Sequence, residues 1–116
     1  NTPMQHAIAT YMEDPKSYLS LPDFYQKKRD LLLEVTQGSN LKPLKCEGTY
    51  YQLYDYSSVS DLDDVAFAKQ MTIEKGVATI PVSPFCHKII SDKVVRICFA
   101  KTEKTIREAG AILSSV

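Results

Sequence analysis

The sequence predicts a single α+β domain, a two-layer structure in which helices cover a small, mainly antiparallel sheet. The length of 116 residues suits one compact domain, and 44% hydrophobic with 24% charged residues is typical of a globular chain. Both ends of the chain carry hydrophobic residues at helical spacing, whereas the middle alternates with a period of two. Helices and strands come in unequal runs, which favours an α+β class over alternating parallel units.

The beginning of the chain predicts two helices. Thr2 as the N-cap and Pro3 at the first helical position start the first helix. Asp14-Pro15 ends it, because proline disfavours a helical conformation in the residue before it. The second helix is longer, from Pro22 to about Gln37, and ends at Gly38, since glycine tolerates the left-handed conformation found there.

After the second helix the hydrophobic period shortens to two. Leu41–Cys46 and Thr49–Tyr56 are rich in aromatic and β-favouring residues, and they predict two strands, or one bent strand, interrupted at Gly48. A third helix is then expected from Ser60, as its cap, to about Lys75. Gly76 follows as its terminator.

The last part of the chain predicts a short extended segment, a loop, a strand and a helix. Residues 77–80 are extended, and two prolines keep residues 82–92 from forming a central strand. Residues 94–100 form the most strand-like stretch, with valine, isoleucine and phenylalanine together. A final helix opens at Thr102. Its apolar stripe comprises Ile106, Ala109, Gly110 and Leu113.

Charge and cysteine content exclude several functional classes. Fourteen basic residues balance fourteen acidic ones, which disfavours binding to nucleic acid or to a membrane surface. No apolar run long enough to span a bilayer and no secretion signal is present, so a cytoplasmic protein is expected. The three cysteines show no C-x-x-C spacing, and we expect reduced thiols in the core and no metal site, even where Cys86 adjoins His87.

Arg96 stands out within the last predicted strand. Alternation places it beside Val94 and Cys98 on one side of a strand that is otherwise apolar, so its guanidinium is expected to leave solvent and to need an anion. Two interpretations remain open at this point. The anion is an internal carboxylate such as Asp55, or the side chain reaches water at the sheet edge. Alternatively, the guanidinium is an open fork for the carboxylate of a ligand.

Three segments together resemble a known family. Gly48–Tyr51, Gly76–Phe85 and Val95–Lys101 resemble, in this order and spacing, the small-domain signature of class I/II aminotransferases, with the kynurenine, glutamine and methionine aminotransferases as the most similar branch. Asn1–Ala7 resembles the segment that follows the cofactor domain in that family. The resemblance implies a fold type I enzyme that uses pyridoxal 5'-phosphate (PLP) and closes its small domain over the substrate.

The resemblance also sets an expected domain organisation. Residues 1–116 would be one domain, the carboxy-terminal part of an aminotransferase, with residues 1–20 forming the interdomain helix region. The first residue is Asn1, with a helix start signal directly after it, which we interpret as a longer protein trimmed at a domain edge. The resemblance further implies that the full-length protein acts on an amino acid and a 2-keto acid and is a homodimer.

The family's carboxylate-binding arginine maps onto Arg96. Tyr50 and Phe85 are the further candidates for substrate binding, Tyr50 being preferred to Tyr51 because neighbours on an extended chain face opposite ways. For both tyrosines and for Phe85, packing in the core or at its rim is the competing interpretation.

No catalytic, cofactor-binding or metal-binding residue is assigned in this chain. The resemblance implies that the lysine forming a Schiff base with PLP, the aspartate at the pyridine nitrogen and the phosphate cup belong to the large domain. The family's lysine context is absent around Lys69, Lys75, Lys93 and Lys101, which are therefore interpreted as surface charges. We therefore expect the fragment alone to be inactive and not to bind PLP specifically.

Two other classes of protein remain possible from the sequence. One is a free-standing α+β regulatory module that binds amino acids through Arg96 without catalysis. The other is a dimerisation module with an apolar exposed face. An upstream coding region for a lysine-bearing cofactor domain would favour the enzyme.

Overall fold

The protein is a helical layer packed on one face of a four-stranded antiparallel sheet, which confirms the expected α+β class. The computed structural model describes residues 1–88 and 92–116. Part of the loop predicted over residues 82–92 therefore lies outside the described residues. The elements are α1 (Thr2–Met12), α2 (Lys16–Leu19), α3 (Leu21–Val35), β1 (Lys42–Pro43), β2 (Tyr51–Asp55), α4 (Asp64–Lys75), β3 (Ile80–Pro81), β4 (Val94–Cys98) and α5 (Glu103–Leu113).

The strands follow the order β1-β2-β4-β3, so β2 and β4 form the centre of the sheet. Leu53 of β2 lies opposite Arg96 on one side, and Ile80 of β3 lies opposite Arg96 on the other. Arg96 is thus a residue of the sheet centre and not of its edge. The strand expected over residues 41–46 is limited to the two residues of β1. Its Pro43 has no N–H to donate, which is compatible with a position at the edge of the sheet.

Two helix starts differ from the prediction. Asn1, not Thr2, caps α1, and its side-chain oxygen accepts a hydrogen bond from the N–H of Met4 at 3.5 Å. Asp63, not Ser60, caps α4 and accepts from the N–H of Ala66 at 2.8 Å. Several residues in each segment could serve as caps, and the sequence alone did not rank them correctly.

Helix α3 ends at Val35 with Thr36 as its C-cap, before the predicted terminator Gly38, whereas two other helix ends match the prediction. Gly76 follows α4 in the left-handed conformation, with a φ of 70°. Thr102 caps α5, and its hydroxyl accepts from the N–H of Thr105 at 3.2 Å. The short helix α2 was not predicted, because its four residues carry no clear helical period.

One face of the sheet is covered by α3, α4 and α5. Tyr54, Val95 and Ile97 on this face are buried. The core that they share with the helices also includes Leu31, Leu32, Phe67, Met71, Ile106 and Leu113. The Tyr54 and Thr36 hydroxyl groups are 3.0 Å apart and form a hydrogen bond, so the one polar atom of that ring is satisfied in the core.

Helices α3 and α5 pack closely because α5 presents Gly110 to Val35. A Cβ atom on Gly110 would lie 2.1 Å from Cγ2 of Val35, a distance at which two carbon atoms overlap. The predicted stripe on α5 is therefore the buried one, with Ile106, Gly110 and Leu113 all in contact with the interior. Here the absence of a side chain serves packing and not backbone conformation.

The other face of the sheet and the first helix remain open. Tyr51, Leu53, Arg96 and Cys98 are only half-buried. Helix α1 has no buried residue. Its apolar residues are each more than half exposed: Met4, Ile8, Tyr11 and Met12.

The cysteines correct one expectation. Cys46 and Cys98 are half-buried and Cys86 is exposed, so none of the three fills the core as predicted. All three are free thiols. The prediction of core packing is wrong for Cys86 in particular, because Cys86 follows the turn Ser83–Phe85 at the surface.

No helix among the described residues is both long and apolar enough to cross a membrane.

Candidate functional site

The open face of the sheet holds the charged residue that the sequence singled out. The central carbon of the Arg96 guanidinium lies 4.5 Å from the centre of the Tyr51 ring and 4.6 Å from that of the Phe85 ring. Both distances are within the range of cation–π contact. The two rings therefore contact the flat guanidinium and restrict its orientation.

Arg96 has no carboxylate partner within residues 1–88 and 92–116. The ion pairs of those residues join other side chains. The Arg96 Nε is buried, and among the described residues it has no hydrogen-bond partner. An unpaired buried donor typically costs about 1–3 kcal/mol, so the Nε of Arg96 contributes no stabilising hydrogen bond within the described residues.

Asp55, the internal partner considered from the sequence, is engaged elsewhere. Its carboxylate accepts a hydrogen bond from the backbone N–H of Ser57 at 2.7 Å. This bond is the main reason why the pKa of Asp55 lies below its usual value, and the Lys42 charge also lowers it. Asp55 lies opposite Val94 in the ladder, and it forms a local turn contact instead of a salt bridge to the arginine.

A pocket of about 360 Å³ opens beside Arg96, between the arginine, Tyr51, Leu53 and the chain segment 45–49. The acidic residue of its lining is Glu47, whose carboxylate lies 2.7 Å from the Lys45 amine. Since Lys45 offsets that charge, Arg96 is left as the cation available to a ligand. A planar fork facing such a pocket can bind one carboxylate through two parallel hydrogen bonds.

Phe85 belongs to a tight turn held by a buried acid. It ends the short 3-10 helix Ser83–Phe85 that follows β3. One Asp64 oxygen accepts from the N–H groups of Val82 and Ser83, at 2.7 and 2.6 Å. The other accepts from the Ser83 hydroxyl at 2.6 Å.

The pKa of Asp64 reflects these bonds. Burial by itself would raise that pKa, but the hydrogen bonds from Ser83, Val82 and Val65 outweigh burial, so the pKa lies below the usual value. The carboxylate is therefore ionised at neutral pH while it holds the turn.

Tyr50 lies outside the Arg96 pocket. The expectation that Tyr50 and Tyr51 face opposite ways is wrong, since their ring centres are only 4.7 Å apart. Alternation fails because strand β2 begins only at Tyr51, and Thr49 has a φ of 65° that turns the chain just before it. Tyr50 instead lines a different depression of about 520 Å³, where its ring lies 6.0 Å from that of Tyr25.

Sequence reasoning missed two residues of this arrangement. Tyr51 contacts Arg96. This contact depends on the register between β2 and β4, which places Tyr51 opposite Cys98, two residues from Arg96 on the same strand. In the sequence, Asp64 is only an acidic residue near the start of a helix, where such a charge is favourable for the helix itself. Its bonds to Val82 and Ser83 join positions 18 and 19 residues apart, which no local pattern encodes.

Among the described residues, no lysine fits the role of a Schiff-base residue for PLP. Such a lysine needs a free amine in a shielded site. Only Lys28 and Lys93 are even half-buried. The Lys28 amine donates to the Lys101 carbonyl, and the Lys93 amine donates to the Ser60 carbonyl at 3.0 Å and lies 2.6 Å from Asp61. None of the described lysines therefore offers a free amine in a shielded position.

Comparison with known proteins places the chain in a family. The model for aminotransferases of class I and II matches residues 1–113. This chain belongs to the class I and II aminotransferase family, as its three signature segments predicted. The family generally uses pyridoxal phosphate.

Individual relatives agree with the predicted branch. The chain is 51% identical to a methionine aminotransferase of Escherichia coli over 95% of its own length and 29% of that protein. It is 34% identical to human kynurenine–oxoglutarate transaminase 3 over 98% of its length and 30% of that protein.

Solved structures match as well. An Escherichia coli protein, YbdL, described as having a methionine aminotransferase function, superposes with a TM-score of 0.93 at 49% identity, over 100% of this chain and 31% of that one. The N-succinyldiaminopimelate aminotransferase of Mycobacterium tuberculosis superposes with a TM-score of 0.85 at 27% identity, over 97% and 30%. The chain thus spans about 30% of the length of these relatives.

Proposed function

We propose that this chain is the carboxy-terminal domain of a PLP-dependent aminotransferase and that Arg96 binds the α-carboxylate of its amino acid and 2-keto acid substrates. The observation that carries the proposal is a guanidinium fixed at the centre of a sheet, lined up with a pocket and free of any acidic partner among the described residues. An α-carboxylate is common to both kinds of substrate, so one arginine would serve both halves of a transamination.

Arg96 would act as a positioning residue. Its two parallel hydrogen bonds would fix the carboxylate and so orient the bonds around the substrate's Cα. It would carry no proton, because a guanidinium stays charged under ordinary conditions. Phe85 would form part of the same site by its contact with Arg96.

The cofactor and the dimer belong to this proposal. We propose that PLP is held by a part of the enzyme outside this chain, and that the chain alone is inactive. Residues 1–20 would form the interdomain helix region, which agrees with the exposed apolar residues of α1. A homodimer and a cytoplasmic location remain predictions of the same kind.

The substrate class follows from the relatives only by analogy. The similar proteins are named for methionine and kynurenine. We propose a substrate amino acid of the methionine, glutamine or aromatic type. The Arg96 pocket would bind the α-carboxylate that all amino acids share and not the substrate's side chain, so it supports an amino acid substrate in general.

Replacing Arg96 tests the proposal in the intact enzyme. We expect Arg96→Lys to raise the KM for the amino acid about 10-fold to 100-fold, since charge-assisted hydrogen bonds contribute roughly 1.5–3 kcal/mol and lysine lacks the fork. Arg107→Lys, the same change at an exposed site on α5, is the matched control and should leave the KM unchanged. An unchanged KM in Arg96→Lys would exclude the assigned role.

A free-standing amino-acid-binding module is the alternative. The sequence of the coding region upstream of this chain distinguishes the two interpretations. A lysine-bearing cofactor domain there supports the enzyme, and a start codon directly before Asn1 supports the module.

A further inference from the structure

The aromatic contact on Arg96 raises the question of what holds Phe85 in place. The Phe85 side chain is 68% exposed, so core packing does not fix it. Its ring nevertheless lies 4.6 Å from the Arg96 guanidinium. An exposed ring at the end of a turn keeps such a contact only if the turn itself is rigid.

Two sets of hydrogen bonds make the turn rigid. Within it, the N–H of Phe85 donates to the Val82 carbonyl and the N–H of Cys86 donates to the Ser83 carbonyl, both at 3.0 Å. From outside it, the Asp64 carboxylate accepts the three bonds from Val82 and Ser83 described above.

Asp64 is well placed to act as a fixed anchor. It is only 5% exposed, and it is the first residue of α4, which packs on the sheet through Phe67 and Met71. The anchor, the turn and Arg96 are thus tied to the same core. Both Asp64 oxygens are occupied by the turn, and so the carboxylate is directed at the backbone and not at a ligand.

We propose that Asp64 is a positioning residue for substrate binding, acting through Ser83 and Phe85 on the Arg96 fork. The inference rests on the proposed function, in which Arg96 binds the substrate carboxylate. The Asp64 bonds set the turn, the turn sets the Phe85 ring, and the ring together with Tyr51 sets the plane of the guanidinium. A correctly oriented fork binds a carboxylate through two bonds at once, whereas a freely rotating one loses that advantage.

The test uses steady-state kinetics of the intact enzyme with its best amino acid substrate. We expect Asp64→Asn, Ser83→Ala and Phe85→Leu each to raise the KM about 3-fold to 10-fold, with kcat changed less than about 2-fold. Phe85→Tyr, which keeps an aromatic ring, should have the same KM as the wild-type enzyme. Asp63→Asn is the matched control, with the same loss of charge one residue away, where asparagine still serves as an N-cap.

A double-mutant cycle separates positioning from general destabilisation. In an Arg96→Lys background, Asp64→Asn and Phe85→Leu should raise the KM no further, because there is no fork left to orient. A purely structural role would instead reduce kcat, through loss of folded enzyme, at unchanged KM. Phe85→Leu keeps the test decisive if Asp64→Asn does not fold, since Phe85 is exposed.

The outcomes distinguish the two proposals. If Arg96→Lys itself leaves the KM unchanged, the proposed function fails. If Arg96→Lys raises the KM but the Asp64 and Phe85 variants behave like Asp63→Asn, the carboxylate site stands and the positioning role is refuted. Additive effects in the double variants refute it as well.

Discussion

The two faces of the β2–β4 pair are built from the same strands and differ in what they contact. On one face Tyr54, Val95 and Ile97 are buried under α3, α4 and α5. On the other, Leu53 and Arg96 stay half-buried beside a pocket. Because side chains alternate along a strand, neighbouring residues serve stability and binding separately. The covered face is packed against helices, whereas the open face carries a buried donor, the Arg96 Nε, that has no hydrogen-bond partner within residues 1–88 and 92–116.

Ile97 provides the largest effect expected from this comparison. Ile97→Ala removes buried methyl groups from the covered face and should lower the free energy of unfolding of the chain by about 2–5 kcal/mol. Urea denaturation followed by circular dichroism measures it. A loss below about 1 kcal/mol would mean that this face is not the core.

Asp64 gives an intermediate effect with a defined pH dependence. Its pKa is lowered in the fold, so the ionised form stabilises the protein above the unfolded-state pKa of about 4, and this contribution is lost as the pH falls through the folded-state pKa. We expect Asp64→Asn to cost about 1–2 kcal/mol at pH 7 and less at pH 3.

Unfolding curves of Asp64→Asn, Asp63→Asn and the wild type at pH 7 and pH 3 measure this difference. A gap between Asp64→Asn and the wild type that stays constant with pH would contradict the ionised anchor.

Arg96 should give the smallest change in stability. Arg96→Met removes the cation–π contacts with Tyr51 and Phe85, but it also removes the buried Nε that has no partner among the described residues. These effects oppose each other, so the free energy of unfolding should change by less than about 1 kcal/mol. The same denaturation assay measures it. A loss as large as that of Ile97→Ala would show that Arg96 serves the fold and not a ligand.

Local patterns in the sequence determined the order of the elements other than α2, the α+β class and the family. The helix ends at Gly76 and Thr102 and the buried stripe of α5 follow from backbone and periodicity rules that act within a few residues. Arg96 was identifiable for the same reason, because a charge in an apolar strand is visible in the sequence alone.

Only the tertiary structure decided which groups meet at Arg96. The sequence favoured Tyr50 over Tyr51, yet the left-handed turn at Thr49 and the start of β2 place Tyr51 against the arginine. Asp64 reaches the turn before Phe85 across 18 residues of chain. Strand register and packing between distant segments set such contacts, and a local pattern carries no information about either.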